Sequence, residues 1–233
     1  MASNHHNDEV FREKRKPKNP IKFKITLNEE QKEAKAKILS NTLTLLAGKA
    51  GSGKTLLACQ IALEKLFMKD ADKVIITRPT VSKEDIGFLP GDLREKMDPW
   101  VQPIYQNMFA LYDKVKIEKL IEDGKIEIVP VSFMRGRTFL DSIIIVDEAQ
   151  NVTHEQMEMI VTRIGLRSKM IICGDDHQVD LKQRRDSGFR FLYTAARKIK
   201  NMVGVTLMQN HRDPIVDNLI EIYEDEKYKR GKK

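Results

Sequence analysis

Six short apolar runs, at residues 42–47, 74–77, 126–131, 143–146, 170–173 and 203–208, recur along the chain, with helical spacing of apolar residues between them. Runs of this length suit strands. Their near-continuous apolar character, without in–out alternation, requires burial on both faces. Such strands belong in the middle layer of a sheet covered by helices. The expected class is therefore α/β, an open, doubly wound, mostly parallel sheet with helices at 55–67 and 154–164 packed on it. A further helix is expected at 31–39, capped by Asn28 and turning Ala34, Ile38 and Leu39 inward.

The length of 233 residues suits one such domain, expected over residues 25–226. A stretch at 82–124 exceeds an ordinary connection and carries its own helical patterns at 100–115 and 116–122, so it is expected to form a helical insertion. The formal charge of +7 is unevenly spread: residues 1–24 hold seven Lys/Arg against three acids, residues 224–233 five against three, and the remainder nets +1. The ends, 1–24 and 227–233, are expected to be solvated basic tails. The only cysteines, Cys59 and Cys173, sit in apolar runs and are expected as buried free thiols. No Cys/His cluster suggests zinc, no apolar leader opens the chain, and no apolar stretch nears the ~20 residues of a membrane span. These features point to a reducing, cytoplasmic setting with no membrane partner.

Residues 48–55, GKAGSGKT, fit G-x-x-x-x-G-K-[ST] at every fixed position and lie between an expected strand and an expected helix. In that context the glycines let the backbone approach a phosphate chain, whose charge meets successive N–H groups and the positive helix end. The expected nucleotide contacts are Gly48, Lys49, Ala50, Gly51, Ser52, Gly53, Lys54, Thr55 and Leu56, with Lys54 on the β- and γ-phosphates and Thr55 on Mg²⁺. ATP and Mg²⁺ are the expected ligands.

Binding alone is not hydrolysis, which needs an acidic element. The run SIIIVDEAQ delivers Asp147 and Glu148 to the end of a strand, where open α/β sheets bind ligands. Asp147 is expected to hold Mg²⁺, and Glu148 to orient and deprotonate the attacking water. A third strand ends in GDDHQ, where Gln178 is expected to sense the γ-phosphate and Asp175 to shape the loop. Asp176, His177 and Asp180 read as turn and solvation residues.

Together these residues resemble the PhoH-like ATPases, relatives of the superfamily 1 helicase motor core. ITRPTV (76–81), GFLPGDL (87–93), KMDPW (96–100), FMRGRTFLD (133–141), VDEAQN (146–151), TRIG (162–165) and GDDHQVDL (174–181) match that family's pattern in order and spacing from about residue 27 to 223. The resemblance implies a three-layer P-loop fold of one RecA-like motor domain, with the GDDHQ strand lying between the P-loop strand and the acidic strand. It implies that Gln31, in LNEEQ, reads the adenine edge; the alternative is a solvent-facing helix residue. It also implies a nucleic-acid backbone contact for Arg78, which an internal salt bridge would explain equally well. An arginine finger belongs to the pattern: Arg212, in QNHRDP, is the first candidate and Arg135, Arg137 and Arg163 the alternatives.

A chain with room for one motor domain is expected to rely on a neighbouring subunit for the finger, within a homo-oligomeric ring, expected to be hexameric. An added nuclease domain is not expected within these 233 residues. Two functional readings follow: an ATP-driven motor or remodeller acting on RNA or other single strands, and a nucleotide-gated switch or scaffold in which nucleic acid has no part.

Overall fold

A computed structural model describes residues 21–79, 93–216, 218–219 and 222–223. Most of the two tails and residues 80–92, with part of the expected insertion and of the GFLPGDL motif, lie outside the described residues.

Six strands form one sheet in the order β3-β2-β4-β5-β1-β6: β1 Leu43–Gly48, β2 Lys73–Thr77, β3 Ile126–Ile128, β4 Ser142–Val146, β5 Lys169–Gly174 and β6 Met202–Leu207. Every neighbouring pair runs parallel. Alternate side chains of each strand enter different cores. Leu46, Ile143, Ile145 and Ile171 pack with helices α1 (Glu29–Ser40), α2 (Lys54–Phe67), α3 (Leu93–Leu111) and α4 (Lys114–Glu122). On the opposite face Leu45, Ile144, Val146 and Ile172 pack with α5 (His154–Val161) and α6 (Gly188–Ala195). The strands lack in–out polarity because both pleat faces are covered, which makes the fold a three-layer α/β sandwich.

The helix boundaries have local causes. The Asn28 side chain accepts from the N–H of Gln31 while the Gln31 side chain accepts from the N–H of Asn28, a reciprocal cap that starts α1. The insertion helices divide at Tyr112–Asp113, earlier than the expected break between 115 and 116, because the Asp113 carboxylate caps Lys116 N–H at the start of α4. Helix α5 ends at Val161, short of the expected Ile164, where Thr162 Oγ1 donates back to the carbonyls of Glu158 and Met159. The run expected as one strand over 126–131 keeps only its first three residues; Pro130, which has no N–H to extend the ladder, leads into a 3-10 turn at Val131–Met134.

Strand β5 lies between β1 and β4. The ends of β1 and β4 are thereby two strand spacings apart, about 9.5 Å. The carboxyl ends of β1, β5 and β4 therefore surround a gap wide enough for a phosphate chain and its counterion.

Candidate nucleotide site

At the carboxyl end of β1 the chain turns sharply into α2. Gly51 and Gly53 hold φ of +88° and +80°, a region costly for side-chain-bearing residues. A Cβ on Gly53 would lie 2.7 Å from Gln31 Nε2, and one on Gly51 would lie 2.8 Å from Arg212 Cγ. The positive φ values call for glycine at both positions, and the side chains of Gln31 and Arg212 reach into the space a Cβ would take.

The loop borders a cavity of about 380 Å³, lined by Ala50, Gly51, Gly53, Lys54, Thr55 and Leu56 from the loop and α2, by Asp147, Glu148 and Gln150 after β4, by Cys173, Gly174, Asp175 and Gln178 from β5 and its loop, and by Asn107 and Arg212. Gly48, Lys49 and Ser52 instead line a separate cavity behind the loop, bounded by the end of β6. The Lys54 ammonium donates to the carbonyls of Gly48 and Lys49 at 2.6 and 2.9 Å, which folds it over its own loop.

Thr55 Oγ1 donates to Asp147 Oδ1 at 2.7 Å. Asp147 is buried, and burial pushes its carboxyl pKa up, an effect opposed by the Thr55 hydrogen bond and reinforced by the negative charge of Glu148. A cation beside this carboxylate would relieve that penalty. A hydroxyl and a carboxylate are the hard oxygen donors Mg²⁺ takes from a protein that leaves its other positions to phosphate and water, so the pair fits this ion.

Glu148 carries φ of +51°. A left-handed conformation at a residue with a side chain costs on the order of 1–3 kcal/mol and recurs at sites where chemistry fixes the geometry. Its carboxylate accepts from Gln150 Nε2 at 2.6 Å and lies 3.7 Å from Arg78 Nη2. Of the two readings of Arg78, the structure displays the internal salt bridge. Gln178 is exposed at the cavity mouth, its N–H donating to the Asp175 carbonyl at 3.0 Å.

Gln31 is buried, unlike a solvent-facing helix residue. Its Nε2 lies 3.5 Å from His211 Nε2, and the His211 N–H donates to the Gly51 carbonyl at 3.1 Å. The Glu30 carboxylate accepts from the N–H groups of Met208 and Gln209 at 2.6 and 3.1 Å. The start of α1 thus clamps the segment after β6 and lays Arg212 against the P-loop of its own chain. Of the alternatives, Arg137 is held bidentately by Glu127 at 2.8 and 3.0 Å, and Arg163 donates to the carbonyls of Met159 and Arg137. Arg135 is exposed.

Gln150 and His211 are site residues that the sequence reading does not single out. Gln150 is buried, donates to Glu148 and accepts from the N–H of Asp175 at 3.0 Å, so one side chain ties the acidic element to the β5 loop. Asn151 repeats the connection one residue on, accepting from Asp180 N–H at 2.8 Å. The signal was present in VDEAQN, where two amides follow two acids, but their partners lie 25 and 29 residues away.

A P-loop at the carboxyl edge of a parallel sheet, facing a buried carboxylate hydrogen-bonded to the loop threonine, defines the class: an ATPase-type, nucleotide-binding P-loop protein. Residues 24–224 match the family model described as PhoH-like protein. The chain belongs to that family. It is 41% identical over 190 residues to a PhoH-like protein of Synechocystis, covering 80% of this chain and 58% of that one, and 42% identical over 200 residues to a PhoH-like protein of Bacillus subtilis, covering 83% and 62%. Protein PhoH of Escherichia coli is 42% identical over 167 residues, covering 70% and 47%. The chain thus spans about half to three fifths of these relatives. Among solved structures, the large terminase of a thermophilic bacteriophage superposes with a TM-score of 0.50 at 9% identity, covering 78% of this chain and 46% of that one, a likeness of fold alone. Among the described residues no helix is long and apolar enough to cross a membrane.

Proposed function

We propose that this chain binds ATP with Mg²⁺ in the cavity between the P-loop and Asp147, hydrolyses it, and couples the cycle to single-stranded nucleic acid. The observation that carries the reading is the convergence of Thr55, Asp147, Glu148, Gln178 and Arg212 on one cavity beside the loop glycines.

In this reading the N–H groups of the loop and the start of α2 take the phosphate charge, and Lys54 exchanges its two carbonyl partners for phosphate oxygens. Thr55 and Asp147 would hold Mg²⁺, and the ion would supply charge neutralisation to the phosphates. Glu148, fixed by Gln150, orients the water and accepts its proton. Gln178 and Arg212 line the same cavity and would be the groups to meet the charge of a bound terminal phosphate. Gln31 and His211 lie where α1 meets the loop and suit recognition of the base. For assembly into a ring, proposed as a hexamer, Arg135 is the exposed arginine left to reach a neighbour's site.

The Arg78–Glu148 pair favours one part of the alternative, switch-like reading. It gives Arg78 a task in holding the catalytic carboxylate, without contact to a nucleic-acid backbone.

Steady-state ATP hydrolysis, measured with Mg²⁺ and with a chelator, with and without single-stranded RNA at two salt concentrations, tests the proposal. Mg²⁺-dependent turnover stimulated by RNA, with stimulation fading as salt rises, is the expected result. Absence of turnover under all conditions overturns the ATPase reading; turnover indifferent to RNA and DNA overturns the coupling.

A further inference from the structure

Outside the tails the chain is nearly neutral, yet residues 182–200 concentrate Lys182, Arg184, Arg185, Arg190, Arg197, Lys198 and Lys200 against the single acid Asp186. All seven are exposed. Lys32, Lys35, Lys65, Arg78, Lys114, Arg137 and Arg167 each have an acidic partner. None of the seven in 182–200 forms an ion pair with a described carboxylate, and the exposed acids of the neighbouring α5, Glu155 and Glu158, are no exception.

The fold makes this segment a strip. Helix α6 buries Gly188 and Phe189, half-buries Leu192 and Tyr193, and continues to the buried Ala196. Helical periodicity then puts Arg190, Phe191, Thr194, Arg197 and Lys198 together on the outer face, over the 3-10 turn Ala196–Lys198 that prolongs the helix. At the upper end, Arg184 donates to the His177 carbonyl at 3.2 Å, next to Gln178. His154 Nε2 lies 3.0 Å from the Arg185 carbonyl, and its ring packs edge-on against Phe191 at 5.4 Å. Phe191 is nevertheless 64% exposed.

Unpaired like charges held on one rigid face repel one another, a cost relieved by a polyanion. Spaced cations beside an exposed ring match what a single strand offers: phosphates at regular intervals and bases with open faces. We infer that the outer face of α6, from Arg184 to Lys200, is a binding strip for single-stranded nucleic acid, with Phe191 as a stacking platform. The upper end of the strip joins the loop that carries Gln178, which gives the strand a direct mechanical route to the nucleotide cavity. This inference rests on the proposed nucleic-acid coupling and assigns it a location.

The test uses the full chain and a fluorescein-labelled oligouridylate of about 20 nucleotides, read by anisotropy at about 50 and about 200 mM salt. Replacing Arg190, Arg197 and Lys198 by Glu together is expected to weaken binding about tenfold or more and to reduce the salt slope by about 2, while basal ATP turnover stays unchanged. The matching triple Gln variant shows an intermediate loss and covers a misfolded Glu variant. Phe191→Ala is expected to weaken binding about fivefold or more. RNA binding by wild type with an unaltered affinity and slope in both triple variants overturns the strip and leaves the coupling standing. No RNA binding by wild type at the lower salt overturns both. Loss of binding to phosphatidylserine vesicles in the triple variants, with RNA binding intact, assigns the strip to membranes and overturns the inference.

Discussion

Thr55 Oγ1 and Asp147 Oδ1 are 2.7 Å apart although 92 residues separate them, so one hydrogen bond joins the first turn of α2 to the end of β4. It also opposes the burial that drives the Asp147 carboxyl pKa upward. Thr55→Val keeps the shape and removes the oxygen. The expected outcome is a rise of about tenfold or more in the Mg²⁺ concentration for half-maximal hydrolysis. A Mg²⁺ titration of ATP turnover reads this directly; an unchanged midpoint would remove Thr55 from the metal site.

Gln150 links Glu148 to the Asp175 N–H. In Gln150→Leu both partners lose their bond. The buried N–H left unsatisfied costs about 1–3 kcal/mol of stability, measurable by urea unfolding. The loosened Glu148 is expected to lower kcat by about 10–100-fold with KM little altered. A normal kcat in a destabilised variant would confine Gln150 to the architecture.

The contrast between Asp147 and Gln150 shows what the chain discloses before it folds. Glycines, a lysine and a threonine at fixed spacing announce the P-loop because one short segment performs the whole task. Two acids after an apolar run are legible for the same reason. His211 and the clamp of Glu30 on the segment after β6 act through partners about 180 residues away, and Gln150, though it sits beside Glu148 in VDEAQN, takes its second partner 25 residues on, so local pattern alone does not assign them. Strands β1, β4 and β5 were legible almost to the residue because burial on both faces leaves an unbroken apolar run. The apolar run 126–131 overstates the edge strand β3, because Pro130 cuts it short. Helix α6 carries Phe189, Leu192, Tyr193 and Ala196 at helical spacing, but its Gly188 start and charged neighbours mask the pattern in the sequence.

Glu127, in the edge strand β3, and Arg137 pair bidentately. The Arg137 hydrogen bond, with the charges of Arg137 and Lys73, outweighs burial and holds the Glu127 carboxyl below the usual glutamate range. A carboxyl pKa depressed by folding contributes stability that is present above its unfolded value and lost as pH falls through the folded one. Both side chains are about one third exposed, so solvent screening limits the contribution to under about 1 kcal/mol. Glu127→Gln is therefore expected to melt slightly below wild type at neutral pH and to converge with it in acid. A gap that persists below both pKa values would point to packing instead of charge.

Glu148, held in a left-handed turn at the end of β4, is the residue proposed for the hydrolytic step on a nucleotide bound by the P-loop. Binding of a fluorescent ATP analogue and steady-state turnover, measured side by side for wild type, Lys54→Ala and Glu148→Gln, separate the two roles. Lys54→Ala is expected to lose binding. Glu148→Gln is expected to bind within about threefold of wild type while turnover falls by about 10²-fold or more. Turnover by Glu148→Gln equal to that of wild type would remove Glu148 from the hydrolytic step.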